Sequence, residues 1–341
     1  MKLQAVRNAI TRVTRGCNTV LQLTFYSVLL SHVTFIPYVY ATPTGGEIAG
    51  GSGSINQSGL TTTINQTSNN LAINWQGFDV NVDERVQFIQ PNTNSLALNR
   101  ILSNNGTKIL GRIDANGQII LVNPNGVFFS PTAILNVGGI IASGLDMSPD
   151  DFMNGHYIFN EVLGAEGKVI NSGTINAAVG GNVTLLGKQV KNDGLISAQL
   201  GSVNLAAGKQ AVVTFDNNGL MGIKVTKEIL QNELGVDPAV LNSGDIIAAG
   251  GRVLMTGSVS QDIFSQAVNS GEAARSVVVN TDGTFSLGAG ADVVNSGNIS
   301  VSSADTSGQI VMLGENVTSS GELHADVTNG LSSIMLYKPW V

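Results

Sequence analysis

The sequence contains almost no cysteine and few charged or aromatic residues. Charged residues make up 12% of the 341 residues, and aromatic residues make up 5%. The single cysteine, Cys17, lies within a predicted leader described below, so the chain after Ala41 contains no thiol. That absence excludes disulfide bonds, thiolate metal ligands and cysteine nucleophiles from the mature protein.

Residue types that commonly carry catalysis are also sparse. After the predicted leader the histidines are His156 and His324, which do not have the spacing of metal ligands. The chain has no nucleophile elbow and no phosphate-binding loop. Adjacent acids occur at 83–84 and 150–151, whereas glycoside-cleaving enzymes place two carboxylates around one bond. We therefore predict no enzyme activity, no metal and no cofactor, and we disfavour the alternative of a polysaccharide-acting enzyme.

The first 41 residues are organised like a secretory signal peptide. They contain four basic residues and no acid: Lys2, Arg7, Arg12 and Arg15. An apolar stretch from about Val20 to Tyr40 follows, and the small residue Ala41 ends it. We predict cleavage between Ala41 and Thr42. A membrane anchor is the alternative, because about 20 apolar residues could span a bilayer, but Pro37 near its end argues against one.

The predicted mature chain is acidic. Four of the 17 basic residues lie in the leader, so 13 basic and 24 acidic residues remain, and the formal net charge becomes −11. This balance excludes nucleic acid as a partner and favours a protein that is soluble outside the cell.

Glycine is abundant, with 41 residues, and a loose repeat begins near Lys168. Each copy starts with Asn-Ser-Gly or a close variant, at Asn171, Asn192, Asn242, Asn269, Asn295 and Ser319. The intervals are 21, 50, 27, 26 and 24 residues, and we interpret the longest as two periods. Short apolar strands with Gly and Asn corners at this period predict an all-β solenoid of stacked coils. We expect the asparagines to stack as a ladder at one corner.

Three stretches before the repeats predict strands. The polar segment from Gly45 to Asn74 predicts short strands that cap the first coil. Apolar and polar residues alternate at 78–83, which predicts a half-buried strand. From Ile119 to Ser130, two apolar runs flank Asn123-Pro-Asn-Gly126, which predicts two buried strands joined by a tight turn.

Two segments predict short helices on the flank of the solenoid. Ser148 is followed by a proline and two acids, so we predict a helical turn at Pro149–Met153 with Ser148 as N-cap. The segment from Lys224 to Leu241 predicts a second helix, with Thr226 as N-cap and Gly235 at its end.

The turn belongs to a series of motifs that resembles a known family. In order, the motifs are QPN and ALNRI within Val86 to Ile101, GRIDANGQ ending at Gln118, NPNG, and NVGGIIAS. They resemble the N-terminal two-partner secretion domain of filamentous-haemagglutinin-like exoproteins, also called the haemagglutination activity domain. The resemblance covers roughly Gly45 to Phe159. It implies a right-handed, single-stranded parallel β-helix, with a signal peptide at 1–41, the capped secretion domain at 42–165 and further β-helix repeats at 166–341.

The resemblance also implies a route of export. The general secretory machinery would deliver the chain to the periplasm of a Gram-negative cell. An outer-membrane transporter with periplasmic polypeptide-binding domains would then recognise two segments: Ala97, Leu98, Asn99 and Arg100, and Asn123, Pro124, Asn125 and Gly126. For the three arginines in the family segments, Arg85, Arg100 and Arg112, pairing with a nearby acid or carbonyl is favoured over a binding role.

The implied product is a secreted or cell-surface adhesin or haemagglutinin that contacts host-cell glycans or receptors. Two alternatives stay open at this point. One is a haem-binding or other ligand-binding exoprotein on the same secretion domain, and the other is an autotransporter-like passenger.

Overall fold

The computed structural model describes residues 42–215, 221–258, 278–279, 285–286, 290–328 and 332–337. The predicted signal peptide, the cleavage-site residue Ala41 and the repeat copy at Asn269 lie outside the described residues. No helix within the described ranges is long and apolar enough to cross a membrane.

Three long sheets contain most of the strands. Sheet 1 comprises β1 (Glu47–Gly50), β4 (Asn70–Trp75), β6 (Leu96–Ile101), β9 (Gln118–Val122), β12 (Gly139–Ser143), β16 (Asn182–Gly187), β19 (Ser202–Ala207), β24 (Arg252–Thr256), β29 (Gln309–Leu313) and β32 (Ser333–Tyr337). Sheet 2 comprises β2 (Gly53–Ser58), β3 (Thr61–Gln66), β5 (Arg85–Ile89), β8 (Arg112–Ala115), β11 (Ile134–Val137), β15 (Thr174–Ala177), β18 (Leu195–Ser197), β23 (Asp245–Ile247), β28 (Asn298–Ser300) and β31 (Leu323–His324). Sheet 3 comprises β7 (Thr107–Ile109), β10 (Val127–Phe129), β14 (Lys168–Asn171), β17 (Gln189–Asn192), β22 (Val240–Asn242), β27 (Val293–Asn295) and β30 (Val317–Ser319).

The remaining elements are short. A three-stranded sheet contains β13 (Ile158–Asn160), β20 (Gln210–Phe215) and β21 (Met221–Lys227), and a hairpin contains β25 (Val278–Val279) and β26 (Phe285–Ser286). The helices are α1 (Pro149–Met153) and α2 (Gln231–Leu234).

Successive strands belong to sheet 2, sheet 1 and sheet 3 in turn, and this repeating order forms a parallel β-helix. One rung runs from β8 in sheet 2 through β9 in sheet 1 to β10 in sheet 3, and β11 then pairs in parallel with β8. The predicted fold class is confirmed. The first rung is covered as predicted, because β1 pairs antiparallel with β4 and β2 pairs antiparallel with β3.

Between its terminal strands β1 and β32, sheet 1 is buried on both faces. Its inward side chains, such as Leu185, pack in the interior of the solenoid. Its outward side chains, such as Ile120 and Ile141, pack in a second apolar cluster with Phe152 of α1 and Phe159 of β13. Two covered faces explain why strand β9 has consecutive apolar residues.

The predicted asparagine ladder is present in sheet 3. Asn171 Nδ2 donates to Asn192 Oδ1 at 2.7 Å, and Asn192 donates in the same way to Asn242 at 2.8 Å. Asn242 donates to Asn295 at 2.8 Å, and Asn295 donates to Ser319 Oγ at 3.1 Å. The four asparagines are fully buried, so each amide takes part in an inter-rung hydrogen bond that water cannot replace.

The interpretation of the 50-residue interval as two periods is wrong. Asn192 pairs directly with Asn242, and Asn242 pairs directly with Asn295. Each long interval is therefore one rung that contains an insertion. Insertions follow β12, β19 and β24, and all three lie at the corner where sheet 1 leads into sheet 3.

Both predicted helices exist, but the second is much shorter than expected. In α1, Ser148 Oγ accepts the Asp151 N–H at 3.0 Å, as the capping pattern predicts. Thr226 lies in β21 instead of capping a helix, because Val225 and Thr226 are β-branched and the segment pairs with β20. Helix α2 starts after Leu230, and Gly235 ends it as predicted.

The predicted strand at 78–83 is reduced to a single bridge. Val80 pairs with Ile109, and Phe78 and Val80 are buried. Val82 is 57% exposed, so the alternation of buried and exposed side chains ends at Val80, before a full strand forms.

Leu200 has a backbone conformation that glycine favours. It has φ +56°, and the equivalent positions in the neighbouring rungs are Gly180 at +78° and Gly250 at +66°. A side chain in this region costs about 1–2 kcal/mol, because Cβ approaches the carbonyl oxygen.

We expect Leu200→Gly to raise the free energy of unfolding by up to about 1 kcal/mol. The substitution removes the backbone strain at this position, but glycine also has greater conformational freedom in the unfolded chain, and that freedom offsets part of the gain. The reciprocal variant Gly180→Leu should lower it by about 1–2 kcal/mol. Urea unfolding of both variants measures the pair of effects. Equal destabilisation by both would contradict the assignment of strain to Leu200.

Candidate functional site

The NPNG segment forms a tight turn between β9 and β10. The Gly126 N–H donates to the Asn123 carbonyl at 2.9 Å and closes the turn, with Pro124 at its second position. Asn123 Oδ1 accepts the Asn125 N–H at 2.9 Å. Gly126 has φ +111°, which disfavours any residue with a side chain. The turn geometry therefore explains the residue type at each of the four positions.

Asn123 connects this turn to the rungs on both sides. Its Nδ2 donates to the Asn105 carbonyl at 2.9 Å and to Thr107 Oγ1 at 3.0 Å. Its backbone N–H donates to the Ser143 carbonyl at 2.9 Å. The side chain is fully buried, and both of its amide hydrogens and its oxygen have partners.

The other residues of the turn also contact neighbouring corners. Asn125 Nδ2 donates to the Ser103 carbonyl at 2.9 Å. The Pro124 carbonyl accepts the Gly167 N–H at 2.8 Å, and the Gly126 carbonyl accepts the Thr107 N–H at 2.9 Å. The turn thus fixes three successive corners of the solenoid relative to one another.

The second predicted segment lies beside the first. Strand β6 contains Ala97–Arg100 and pairs in parallel with β9, with Arg100 opposite Val122. Ala97 and Asn99 belong to the inward rows, and Asn99 Oδ1 accepts the Trp75 indole N–H at 3.0 Å. Leu98 belongs to the outward cluster under α1. The structure therefore places the two segments in adjacent rungs.

Arg100 holds the first insertion, which follows β12 and contains α1 and β13, against sheet 1. Its Nε donates to Asp146 Oδ1 at 2.7 Å, and its Nη2 donates to Oδ2 at 2.6 Å. These hydrogen bonds raise the pKa of Arg100, although partial burial acts to lower it. Such a two-point contact is stronger than a typical surface ion pair because both charges are hydrogen-bonded and partly desolvated.

Five of the eight residues in the two segments are buried in the fold. Ala97, Leu98 and Asn123 are 0% exposed, and Asn99 is 1% exposed. A partner that reads these side chains must therefore meet the chain before the rungs form. Pro124, Asn125 and Arg100 are half-buried. At the predicted cleavage site, Thr42 is the first described residue, and it is half-buried.

We expect Arg100→Ala and Asp146→Ala to weaken the attachment of the first insertion by similar amounts, about 1–3 kcal/mol. Hydrogen exchange of the amides in α1 and β13 measures this opening. Asp146 lies outside the predicted recognition segment, so its variant is the matched control for secretion. If Arg100 acts only in folding, the two variants lose equal secretion. A larger loss for Arg100→Ala would indicate that the arginine is also read by the transporter.

A second charged cluster lies on the outer face of sheet 2. Arg85 Nε and Arg112 Nε each donate to Asp114 Oδ2 at 2.6 Å, and Asn136 Nδ2 donates to Oδ1 at 3.3 Å. Burial acts to raise the pKa of Asp114, but the hydrogen bonds from Arg112, Arg85 and Asn136 together lower it below its ordinary value. With Arg100 on Asp146, all three arginines pair with acids, as favoured from the sequence.

This cluster contains a single carboxylate, so it does not supply the two acids of a glycosidase. Within the described part of the chain, no group of three or more His, Cys, Asp or Glu side chains could hold a metal ion. His156 is exposed and His324 is half-buried. The absence of enzyme activity, of a metal and of a cofactor stays a prediction.

Sequence reasoning missed the partners of the two segments. Asp146 is an isolated acid 46 residues after Arg100, and no local pattern connects them. The corner at 103–107 supplies three acceptors to the NPNG asparagines. Its Asn-Asn-Gly sequence signals a turn, but not which turn it faces.

Comparison with known proteins identifies the family. The TPS secretion domain matches residues 40–301. A heme/hemopexin-binding protein of Haemophilus influenzae (strain ATCC 51907 / DSM 11121 / KW20 / Rd) is 31% identical over 232 residues, which cover 64% of this chain and 25% of that protein. A second Haemophilus influenzae protein of the same name is 40% identical over 85 residues, or 25% of this chain and 9% of that protein.

A solved structure agrees with this assignment. The crystal structure of the HMW1 secretion domain from Haemophilus influenzae has a TM-score of 0.65 and 26% identity, and it covers 86% of this chain and 76% of that chain. The chain spans about a quarter of the length of the curated relative that it matches over 232 residues. The match over most of the described β-helix shows that the chain belongs to the TPS secretion domain family, the exoproteins of two-partner secretion systems.

Proposed function

We propose that residues 42–165 deliver this chain, while it is still extended, to its outer-membrane transporter. A TPS domain implies such a partner. In the proposal, periplasmic polypeptide-binding domains of the transporter read Ala97–Arg100 and Asn123–Gly126. The observation that supports it is the burial of Asn123, since every polar atom of its amide is engaged in the fold. The same amide would be free to bond a partner only in the extended chain.

Folding would then make export directional. Once β9 and β10 form outside the cell, the Asn123 side chain bonds to the corner of the preceding rung and is no longer accessible to the transporter. Each further rung adds contacts only to its neighbour, as in other solenoids. Rung-by-rung folding would therefore oppose back-sliding without any other energy source.

Co-expression tests this function. The full chain should appear in the medium of a Gram-negative host only when a transporter of the family is present, and N-terminal sequencing of the secreted protein should begin at Thr42. A chain that lacks 42–165 but keeps the leader should remain in the periplasm. Equal secretion with and without the transporter would contradict the proposal, and retention of residues before Ala41 would contradict the cleavage site.

The proposed activity of the secreted protein is adhesion or haemagglutination through host-cell glycans or receptors. A second candidate is binding of haem or a haem-carrying protein, which the printed names of the two Haemophilus influenzae relatives suggest. Red-cell agglutination by the purified protein would support the first. A saturable haem absorption change without agglutination would support the second.

A further inference from the structure

Four Asn-Gly sequences lie within the described residues, and this dipeptide has a characteristic reactivity. The glycine backbone nitrogen attacks the asparagine side-chain carbon, ammonia leaves, and a cyclic imide forms. Water then opens the imide to aspartate or isoaspartate. Glycine favours the attack because it has no side chain to obstruct it. The four asparagines are Asn105, Asn116, Asn125 and Asn154.

In three of these sequences the attacking nitrogen is already a hydrogen-bond donor. Gly117 N donates to Gln90 Oε1 at 3.0 Å, and Gly126 N donates to a turn carbonyl at 2.9 Å. Gly155 N donates to the Phe152 carbonyl at 3.1 Å. The side-chain amides of two of the asparagines are bonded as well, one to Gln90 and one to the Ser103 carbonyl. Imide formation there must first break these contacts.

Asn105 differs from the other three. It is exposed, and within the described residues neither its side-chain amide nor the Gly106 N–H makes a hydrogen bond. We propose that Asn105 is a site of spontaneous deamidation, which needs only water and releases ammonia. The reaction converts one neutral amide into a carboxylate.

The position of Asn105 gives this reaction a structural consequence. Its carbonyl accepts the Asn123 Nδ2 hydrogen bond at 2.9 Å, and the neighbouring Gly106 is packed so closely that an added Cβ would lie 2.9 Å from the Asn125 carbonyl oxygen. Isoaspartate inserts an extra methylene into the backbone between residues 105 and 106. That insertion must shift the 103–107 corner away from the NPNG turn, so the modified domain should be less stable.

Incubation of the purified full chain in mildly alkaline buffer tests this proposal. Peptide mapping by mass spectrometry should show Asn105 converting at least about tenfold faster than Asn116, Asn125 and Asn154, because breaking a protecting hydrogen bond slows the others. In denaturant the four rates should converge. Equal rates in the folded protein, or no conversion at Asn105, would overturn the proposal.

The variant Asn105→Gln separates the reaction from its consequence. Glutamine keeps the amide but forms the larger imide ring far more slowly. Aged wild-type protein should melt at a lower temperature than fresh protein, and aged Asn105→Gln should melt where it did when fresh. Equal losses of melting temperature in both would show that ageing acts elsewhere, and would contradict the structural consequence.

Discussion

Secretion of a chain that carries Asn123→Ala and Asn125→Ala is expected to fall to a small fraction of the wild-type yield when its transporter is present. Loss of Asn123 leaves the Asn105 carbonyl and Thr107 Oγ1 without their donor inside the fold. The cost to stability is about 1–3 kcal/mol. Secretion is measured as the amount of protein in the medium relative to the periplasm.

A stability-matched control separates recognition from folding. Asn192 is also fully buried, and its amide also bridges two rungs, but it lies outside both predicted segments. Asn192→Ala should therefore destabilise the fold by a similar amount. If the NPNG turn acts only in folding, the two variants will show equal secretion at equal melting temperature. If the transporter reads the motif, the NPNG variant will be secreted far less.

Leu185→Ala is expected to lower the free energy of unfolding by about 2–5 kcal/mol, because the side chain is fully buried in the solenoid and its removal leaves a cavity. Denaturant unfolding of the purified protein measures the change. Leu163→Ala is the control, since Leu163 is 88% exposed and should change stability by less than about 0.5 kcal/mol.

The same measurement tests the prediction that stability needs neither metal nor disulfide. Chelator and reductant should leave the unfolding curve of the wild-type protein unchanged. Loss of the fold in chelator would reveal a metal site that was not predicted. If Leu185→Ala lowers the free energy of unfolding by less than about 1 kcal/mol, the rung relaxes around the lost side chain.

The repeats could be predicted because each rung carries its own local signature. An asparagine, a glycine corner and a short apolar strand recur at Asn171, Asn192 and Asn242, and equivalent residues of stacked rungs must face one another. The helix at Pro149–Met153 was predictable for the same reason, since its cap is formed by residues within three positions.

Features that depend on distant partners could not be predicted. The 50-residue interval contains one rung because Asn192 pairs with Asn242, and sequence spacing alone cannot distinguish an insertion from a second rung. Thr226 is in a strand because β20 lies beside it, so tertiary pairing overrides the helical pattern. The contact of Arg100 with Asp146 joins two segments that have no shared motif.

For the candidate site, the four NPNG positions and their turn were predictable from turn chemistry. The contacts that bury Asn123 were not, because no local pattern identifies which corner its amide faces. It is buried because Asn105 and Thr107 of the preceding rung bring an acceptor for each of its hydrogens.

The asparagine ladder of sheet 3 is electrically polar. Every amide donates toward the following rung and none is reversed, from Asn171 to Asn295 and on to Ser319. Aligned side-chain dipoles polarise one another and add along the solenoid axis. The ladder is therefore a side-chain counterpart of the helix macrodipole, with its positive end toward the later rungs. When a new rung folds onto the ladder, its side-chain oxygen accepts the amide N–H that the preceding rung leaves unpaired. The solenoid therefore grows by forming the same kind of hydrogen bond at each rung of the ladder.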